Sequence, residues 1–226
     1  MDDEDPIPVK VVLLGESGVG KTSIISRFTT NKFNPRCPTS VSAQFISKKM
    51  EFPHYSKILK FDIWDTVGQE KYRSLAKIFY KDARIIIFVY DITTEFSFKA
   101  IKDFWYKQTN EFADNEPILA LVANKYDLYK DAKVSDGDGK EYADEIKAIF
   151  QNTSALSNSG IENLFQNLGK KFIDPRYDYK NPGVELPLDN SDKKGNKTNG
   201  KNNDKDKGNK NKIKLKEGKK EGKKCC

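Results

Sequence analysis

The chain has 226 residues, of which 37% are hydrophobic, so it can bury one good core and little more. Its formal net charge of +7 comes from residues 189–224, where fourteen lysines face six acidic residues and neither arginine nor an aromatic residue occurs. The sequence lacks the apolar run of about eighteen residues that a membrane-spanning helix needs, and three cysteines do not suggest a disulfide framework.

The first predicted strand, residues 9–14, leads directly into the segment GESGVGKT and a helix near residues 20–30. Glycines in such a loop turn backbone N–H groups inward around a phosphate, the Lys21 amine can reach the outer phosphates, and the Thr22 hydroxyl can ligate Mg²⁺. A nucleoside triphosphate is therefore the expected ligand. The residues predicted to bind its phosphates are Ser17, Gly18, Val19, Gly20, Lys21, Thr22 and Ser23.

Two strands, residues 43–52 and 57–63, come next, and the connection between them is too short for a crossover helix. They are therefore predicted to form an antiparallel hairpin. The motif IWDTVGQE follows. In it, the Asp65 carboxylate can hold Mg²⁺ through water, the N–H of Gly68 can approach a γ-phosphate, and Gln69 lies where it would orient an attacking water.

The remaining predicted elements alternate between helix and strand, which favours a mostly parallel sheet covered by helices on both faces. Helices are expected near residues 70–80, 96–112, 138–147 and 161–173, and strands at 84–90, 117–123 and about 149–153.

The strand at 117–123 ends in the motif NKYD, at the edge where open α/β sheets bind their ligands. Guanine offers N1–H and NH₂ side by side, and the Asp127 carboxylate can accept from both, whereas adenine lacks this arrangement. Asn124 is expected to brace the two loops and the base edge, and the aliphatic stem of Lys125 to cover one face of the ring. The motif therefore predicts a guanine nucleotide.

The motifs GESGVGKT, IWDTVGQE, NKYD and TSA, in this order, resemble those of the Ras superfamily of small GTPases, over about residues 8–174. The resemblance implies the P-loop small GTPase fold, with a mostly parallel six-stranded sheet, helices on both faces and one antiparallel edge hairpin. Features typical of the Rab branch occur as well: Phe45 at the end of residues 40–45, the segments 72–75, 79–83 and 88–93, and two final cysteines.

This resemblance implies a switch that binds GTP and GDP with Mg²⁺, hydrolyses GTP slowly, and recruits effectors in vesicle trafficking. Counting from Lys21 places the switch hydroxyl at Ser40, where the family usually has Thr, and Thr39 is the alternative. The implied catalytic residues are Lys21, Ser40 and Gln69, and the implied metal ligands are Thr22, Ser40 and Asp65.

Around the base, the resemblance places Phe33 under the guanine and the backbone N–H of Ala155, beside Ser154, at guanine O6. Val67 replaces the family's usual Ala, and Leu156 replaces its usual Lys. Val67 and Ser40 leave open an alternative function, that of a hydrolysis-impaired, nucleotide-bound scaffold, whereas Leu156 is expected to lower affinity without loss of guanine specificity.

Three aromatic residues, Phe45, Trp64 and Phe79, resemble the surface triad that Rab effectors contact, with core packing as the alternative role. The implied partners are a guanine-nucleotide exchange factor, a GTPase-activating protein, Rab escort protein with geranylgeranyl transferase, a GDP-dissociation inhibitor and effectors, and a monomer is expected. Nucleic-acid binding is less favoured, because the basic tail lacks the arginine and aromatic residues that single-strand binders use.

The predicted organisation is an acidic extension (1–7), a GTPase domain (8–174) and a tail rich in Lys and Asn (175–224). The tail is expected to be disordered, since it cannot bury enough apolar surface to fold. The resemblance implies a geranylgeranyl group on both Cys225 and Cys226. Such groups would hold the protein at the cytoplasmic face of endosomal or other vesicular membranes, between passages through the cytosol.

Overall fold

The computed structural model describes residues 5–36, 43–66 and 77–182. Within these ranges, six strands form one sheet in the order β2-β3-β1-β4-β5-β6, and every neighbouring pair is parallel except β2 and β3. The predicted mostly parallel sheet with one antiparallel edge hairpin is therefore confirmed. The strands are β1 (Ile7–Leu14), β2 (Gln44–Phe52), β3 (Lys57–Asp65), β4 (Ile85–Asp91), β5 (Ile118–Asn124) and β6 (Ile149–Asn152).

Two strands extend beyond their predicted ends because their backbone pairing continues. β1 begins at Ile7, inside the predicted acidic extension, where Ile7 is in register with Leu59 of β3. β3 continues to Asp65, which is paired with Leu13 of β1 on one side and Gln44 of β2 on the other. Asp65 is therefore held by strand pairing on both sides.

In the described parts of the chain, helices occur where the sequence predicts them, with two differences in detail. Of the helix predicted near 70–80, residues 77–80 are helical and residues 70–76 lie outside the described parts. The helix predicted over 96–112 contains a π-helical turn, Ile101–Trp105, between two α-helical parts.

None of the helices in the described parts of the chain is long and apolar enough to cross a membrane. The α-helices are α1 (Lys21–Thr30), α2 (Lys77–Tyr80), α3 (Glu95–Ala100), α4 (Tyr106–Phe112), α5 (Asp136–Glu145) and α6 (Ile161–Ile173), with 3₁₀ turns at Pro53–Tyr55 and Tyr126–Asp131.

The second difference is the start of α5, two residues before the predicted one. Ser135 Oγ accepts a hydrogen bond from the N–H of Asp138 at 3.1 Å, and the Asp138 carboxylate accepts one from the N–H of Ser135 at 3.3 Å. This capping box satisfies backbone donors that a helix start otherwise leaves unpaired. It allows the helix to include Gly137 and Gly139, which are poor helix formers.

The sheet separates two apolar clusters, because alternate residues of a strand point to opposite faces. In β1, Leu13 belongs to the cluster that includes residues of α1 and α6, and Leu14 belongs to the cluster that includes residues of α3 and α5. In the first cluster the rings of Phe28 and Phe165 stack with their centroids 3.6 Å apart. The predicted helices on both faces are therefore confirmed, and α1 is fixed to the sheet at the point where the phosphate loop ends.

Residues 175–182, which the sequence analysis assigned to the disordered tail, are ordered against the domain. Tyr177 Oη donates to Asn167 Oδ1 at 2.8 Å, and Lys180 Nζ lies 2.6 Å from Asp144 Oδ1. Tyr179 packs against the cluster that contains α1 and α6. The predicted boundary at 175 is therefore wrong for these eight residues, because two tyrosines supply the apolar contact area that the lysine-rich part lacks.

Candidate nucleotide-binding site

The segment GESGVGKT forms the loop between β1 and α1, and close packing requires two of its glycines, Gly15 and Gly20. Gly15 has φ +146°, and a Cβ there would lie 2.2 Å from the carbonyl oxygen of Val89. Gly20 has φ +101°, and a Cβ there would lie 2.3 Å from Asn124 Nδ2. The loop is thus pressed against the carboxyl ends of β4 and β5, with a backbone that a larger residue could not adopt without strain.

Lys21 is buried under this loop with only 5% of its surface exposed. Its Nζ donates to the carbonyl oxygens of Gly15 at 2.8 Å and Glu16 at 2.9 Å. Burial lowers the pKa of the Lys21 amine to about 8, although the nearby carboxylates of Asp65 and Glu16 act in the opposite direction. A phosphate beside this amine would favour its charged form, because an opposite charge at close range offsets the cost of burial.

The next pair of predicted site residues, Thr22 and Asp65, are in direct contact. Thr22 Oγ1 donates to Asp65 Oδ2 at 2.6 Å, and Asp65 is 1% exposed. The following residue, Thr66, donates from Oγ1 to the carbonyl oxygen of Leu13 at 2.5 Å and so ties the end of β3 to β1. Carboxylate and hydroxyl oxygens are the hard ligands that Mg²⁺ prefers, so these two residues fit the predicted metal.

Asn124 connects the phosphate loop to the loop that follows β6. Its Nδ2 donates to the carbonyl oxygen of Val19 at 2.7 Å, and its Oδ1 accepts from Thr153 Oγ1 at 3.0 Å. The side chain is 1% exposed, and both of its polar ends are paired. Since β5 and β6 are adjacent in the sheet, the motifs NKYD and TSA meet at the same edge.

Lys125 has a partner that the sequence analysis did not find. Its Nζ lies 2.7 Å from Asp91 Oδ2, at the end of β4, and Asp91 Oδ1 accepts from the N–H and the hydroxyl of Thr93. Burial raises the pKa of the Asp91 carboxyl, but the hydrogen bonds from Lys125 and Thr93 outweigh it and hold that pKa below its ordinary value. The ion pair fixes the end of the lysine whose stem is predicted to cover the base. The position of Asp91 at a strand end was the available sequence signal.

The carboxylate of Asp127 is held by the loop after β6. Ser154 Oγ donates to Asp127 Oδ1, and the same hydroxyl accepts from the N–H of Ser157 at 3.1 Å. Ala155, whose N–H is predicted to contact guanine O6, follows directly. The structure therefore brings together Asp127, Ser154 and Ala155, the residues predicted to read the base.

Arg27, in the last turn of α1, belongs to none of the motifs found in the sequence. Its Nε donates to the carbonyl oxygen of Ala155 at 2.9 Å, and its Nη2 donates to that of Leu156 at 3.1 Å. The guanidinium carbon also lies 5.8 Å from the ring centroid of Phe33, which is half-buried. Arg27 thus contacts both Ala155, predicted to lie at the guanine O6, and Phe33, predicted to lie under the ring.

The three aromatic residues assigned to effectors form a continuous row. The ring centroids of Phe45 and Trp64 are 5.2 Å apart, and those of Trp64 and Phe79 are 5.9 Å apart. Phe45 is 52% exposed, whereas Trp64 and Phe79 pack partly against the cluster that contains α3 and α5. The row therefore has an exposed ring at one end, Phe45, while its other two rings pack partly against the core.

Several predicted residues lie outside the described parts of the chain. They remain predictions from the sequence: Thr39, Ser40, Val67, Gly68, Gln69, Cys225 and Cys226.

A glycine-rich loop at the carboxyl edge of a mostly parallel sheet, leading into a helix with its lysine and threonine in place, defines a P-loop nucleotide-binding protein. The Ras family matches this chain over residues 10–174. The Ras-related protein Rab-21 of Bos taurus is 44% identical over 165 residues, which cover 73% of this chain and 73% of that protein. The Ras-related protein Rab-22A of Homo sapiens is 39% identical over 163 residues, covering 72% of this chain and 82% of that protein. The chain therefore belongs to the Ras family and is a Rab-like small GTPase, as its motifs predicted.

Proposed function

We propose that this Rab-like GTPase alternates between GDP-bound and GTP-bound states and recruits effectors in vesicle trafficking only in the GTP-bound state. The observation that carries the proposal is the pair of hydrogen bonds made by the Asn124 side chain. One bond goes to Val19 in the phosphate loop and the other to Thr153 in the loop after β6. One buried side chain thus links the loop assigned to the phosphates to the loop assigned to the base. A protein whose state depends on both parts of the nucleotide requires such a link.

The reaction is the attack of water on the γ-phosphate of GTP, which breaks the bond to the oxygen shared with the β-phosphate and leaves GDP and inorganic phosphate. Lys21 has three donors, so it can bond a phosphate oxygen while it keeps its contacts to Gly15 and Glu16. Its charge offsets the negative charge on the transferred group. Gln69 is assigned to orienting the water.

Thr22 and Asp65 would hold Mg²⁺, together with Ser40 or, as the alternative, Thr39. When bound, the ion neutralises charge on the phosphate oxygens. The intrinsic rate is expected to be slow, because a GTPase-activating protein usually supplies an arginine in trans that is worth about 10³ to 10⁵ in rate.

Guanine is selected by Asp127, whose carboxylate accepts from N1–H and the NH₂ group of the base. The bond from Ser154 restricts that carboxylate to one orientation. The ion pair with Asp91 holds the end of Lys125, whose stem is assigned to covering one ring face. The N–H of Ala155 and the ring of Phe33 complete the assigned contacts.

At the membrane, geranylgeranyl groups on Cys225 and Cys226 would anchor the protein to the cytoplasmic face of vesicular membranes, since stable anchoring takes two lipid signals. Rab escort protein with geranylgeranyl transferase would attach them, and a GDP-dissociation inhibitor would return the protein to the cytosol. An exchange factor would load GTP. Effectors would bind the aromatic row of Phe45, Trp64 and Phe79, where one exposed ring adjoins two partly buried ones.

Single-turnover hydrolysis of GTP by the full chain tests the switch. The parent should convert bound GTP slowly to GDP, and Gln69→Leu should bind GTP with nearly unchanged affinity while hydrolysing it far more slowly. Tight GTP binding without measurable hydrolysis by the parent would favour the scaffold alternative that Val67 and Ser40 leave open.

Membrane fractionation tests the anchor. The double variant Cys225→Ser/Cys226→Ser should move from the membrane to the cytosolic fraction with unchanged nucleotide binding. Cys37→Ser is the matched control, because it removes the third cysteine of the chain and should fractionate like the parent. An unchanged distribution of the double variant would refute prenyl anchoring.

A further inference from the structure

The guanidinium of Arg27 joins α1 to the loop that follows β6. Its Nε and Nη2 donate to two successive carbonyl oxygens, those of Ala155 and Leu156, at 2.9 and 3.1 Å. These acceptors lie 128 and 129 residues further along the chain. The planar fork of arginine matches two adjacent acceptors, whereas the ammonium group of lysine is a single point of charge.

The same side chain also stabilises the end of α1 and the segment that carries Phe33. Its Nη1 donates to the carbonyl oxygen of Asn31 at 2.9 Å, and its guanidinium carbon lies 5.8 Å from the centroid of the Phe33 ring. Asn31 is in turn bonded to the far loop, because Asn158 Nδ2 donates to Asn31 Oδ1 at 3.0 Å. Arg27 therefore lies at the junction of two segments, one assigned to a face of the guanine ring and the other to its O6 edge.

The sequence of the loop after β6 makes the hydrogen bonds from Arg27 important. Leu156 stands where the family usually has a lysine, and its side chain is 55% exposed. Contact between this loop and the base then depends on where its backbone lies, because the assigned contact is the N–H of Ala155. The hydrogen bonds from Arg27 to the carbonyl groups of Ala155 and Leu156 hold that backbone from the side of α1.

We propose that Arg27 is a positioning residue of the guanine pocket, which holds the N–H of Ala155 and the ring of Phe33 in the orientation that retains the base and so slows GDP release. The inference rests on the proposed assignment of these residues to guanine. Arg27 acts on the base side, since its three hydrogen bonds go to Asn31, Ala155 and Leu156 and none of these belongs to the phosphate loop.

The test measures the release of GDP that carries a fluorescent label on its ribose, from the full chain, after addition of excess unlabelled GDP. Arg27→Lys keeps the charge but loses the fork, and it should release GDP about tenfold faster than the parent, the effect of losing one charge-assisted hydrogen bond. Arg27→Met keeps the stem without any donor and should release GDP faster still. Arg84→Lys, an exposed arginine just before β4 at the opposite edge of the sheet, is the matched control and should behave like the parent.

Two further readouts separate positioning from a general structural role. Chelation of Mg²⁺ should accelerate release by the same factor in the parent and in both Arg27 variants, because Arg27 does not act on the phosphate side. A role confined to fold stability would lower the thermal unfolding midpoint but leave the release rate unchanged at temperatures well below it. If Arg27→Met does not fold, the GDP release rate of Arg27→Lys alone tests the inference.

Parent-like release from Arg27→Lys would overturn the inference, and so would a change seen only in the response to Mg²⁺ chelation. The variant Asp127→Asn, measured in parallel with GDP and xanthosine diphosphate, tests the guanine assignment itself. If Asp127→Asn keeps its preference for GDP, the assignment of the base pocket fails. If Asp127→Asn changes its preference while Arg27→Lys behaves like the parent, only the role of Arg27 fails.

Discussion

In the half of the site assigned to the phosphates, Lys21 bonds carbonyl groups only six and five residues before it, whereas in the half assigned to the base, Arg27 bonds carbonyl groups 128 and 129 residues after it. The phosphate half consists of the loop GESGVGKT with Asp65. The base half consists of NKYD and the loop after β6, with Arg27 as their support. The first is therefore largely defined by one short stretch of chain, and the second exists only when α1, β5 and β6 are packed together.

This difference has a consequence for function. A change in the phosphate half should weaken every nucleotide alike, because all nucleotides present the same phosphates. A change in the base half should alter which base is held, or how long, while the phosphate contacts persist.

The largest effect is expected from Lys21→Met. The change removes a buried charge that bonds two carbonyl groups and would face the phosphates, and loss of one partner of a buried charge pair costs about 3 to 5 kcal/mol. Calorimetric titration should show affinity for GDP and for inosine diphosphate falling together, by more than a hundredfold. Lys32→Met, an exposed lysine just after α1, is the control. A loss confined to one of the two bases would contradict the division into halves.

A smaller but more selective effect is expected from Asp127→Asn. The amide would place an NH₂ group against the guanine donors and leave buried polar groups unpaired, at roughly 1 to 3 kcal/mol each. Xanthosine triphosphate, which has a carbonyl where guanine has its NH₂ group, should then bind better than GTP in competition assays. Continued preference for GTP would show that this carboxylate does not read the base.

Ser154→Ala should have a weaker effect of the same kind. The hydroxyl is fully buried, donates to Asp127 and accepts from the N–H of Ser157, so its loss frees the carboxylate from one orientation. A cost of about 1 kcal/mol corresponds to GDP release some fivefold faster. Ser159→Ala, an exposed serine in the same loop, is the control for a general loosening of that loop. Equal effects of both changes would assign the result to the loop and not to Asp127.

The smallest effect concerns pH and the Asp91–Lys125 pair. Because the pKa of Asp91 is held below its ordinary value of 3.8, the folded state binds fewer protons there than the unfolded state does. The pair therefore contributes stability above about pH 4, and this contribution is lost as the pH falls through the lowered pKa. Urea unfolding should show Asp91→Asn less stable than the parent by about 1 kcal/mol at pH 6. The difference should shrink below pH 4, and a constant difference down to pH 3 would exclude this pair as its source.

Much of the fold followed from the order of apolar runs and turn signals. The helix predicted over 161–173 coincides with α6, and the antiparallel hairpin was deduced from the length of its connection. Errors arose where tertiary contact overrides composition. Residues 175–182 belong to a polar, charged stretch, yet Tyr177 and Tyr179 find contacts on the domain that the composition of the tail does not reveal.

The sequence by itself determined the class of ligand, because the chemistry of GESGVGKT and NKYD depends on residue types at short, fixed spacing. It also assigned Thr22 and Asp65 to one metal site, because a hydroxyl after the phosphate loop and a carboxylate at a strand end are both ligands that Mg²⁺ prefers. Only the tertiary structure decided which side chains support the base pocket. Arg27 belongs to no motif, and Asp91 lies in the segment 88–93 without an assigned role; their partners Ala155 and Lys125 become neighbours only when the sheet and α1 have assembled. Local spacing determines local geometry, but contacts across more than a hundred residues depend on the packing of the whole domain.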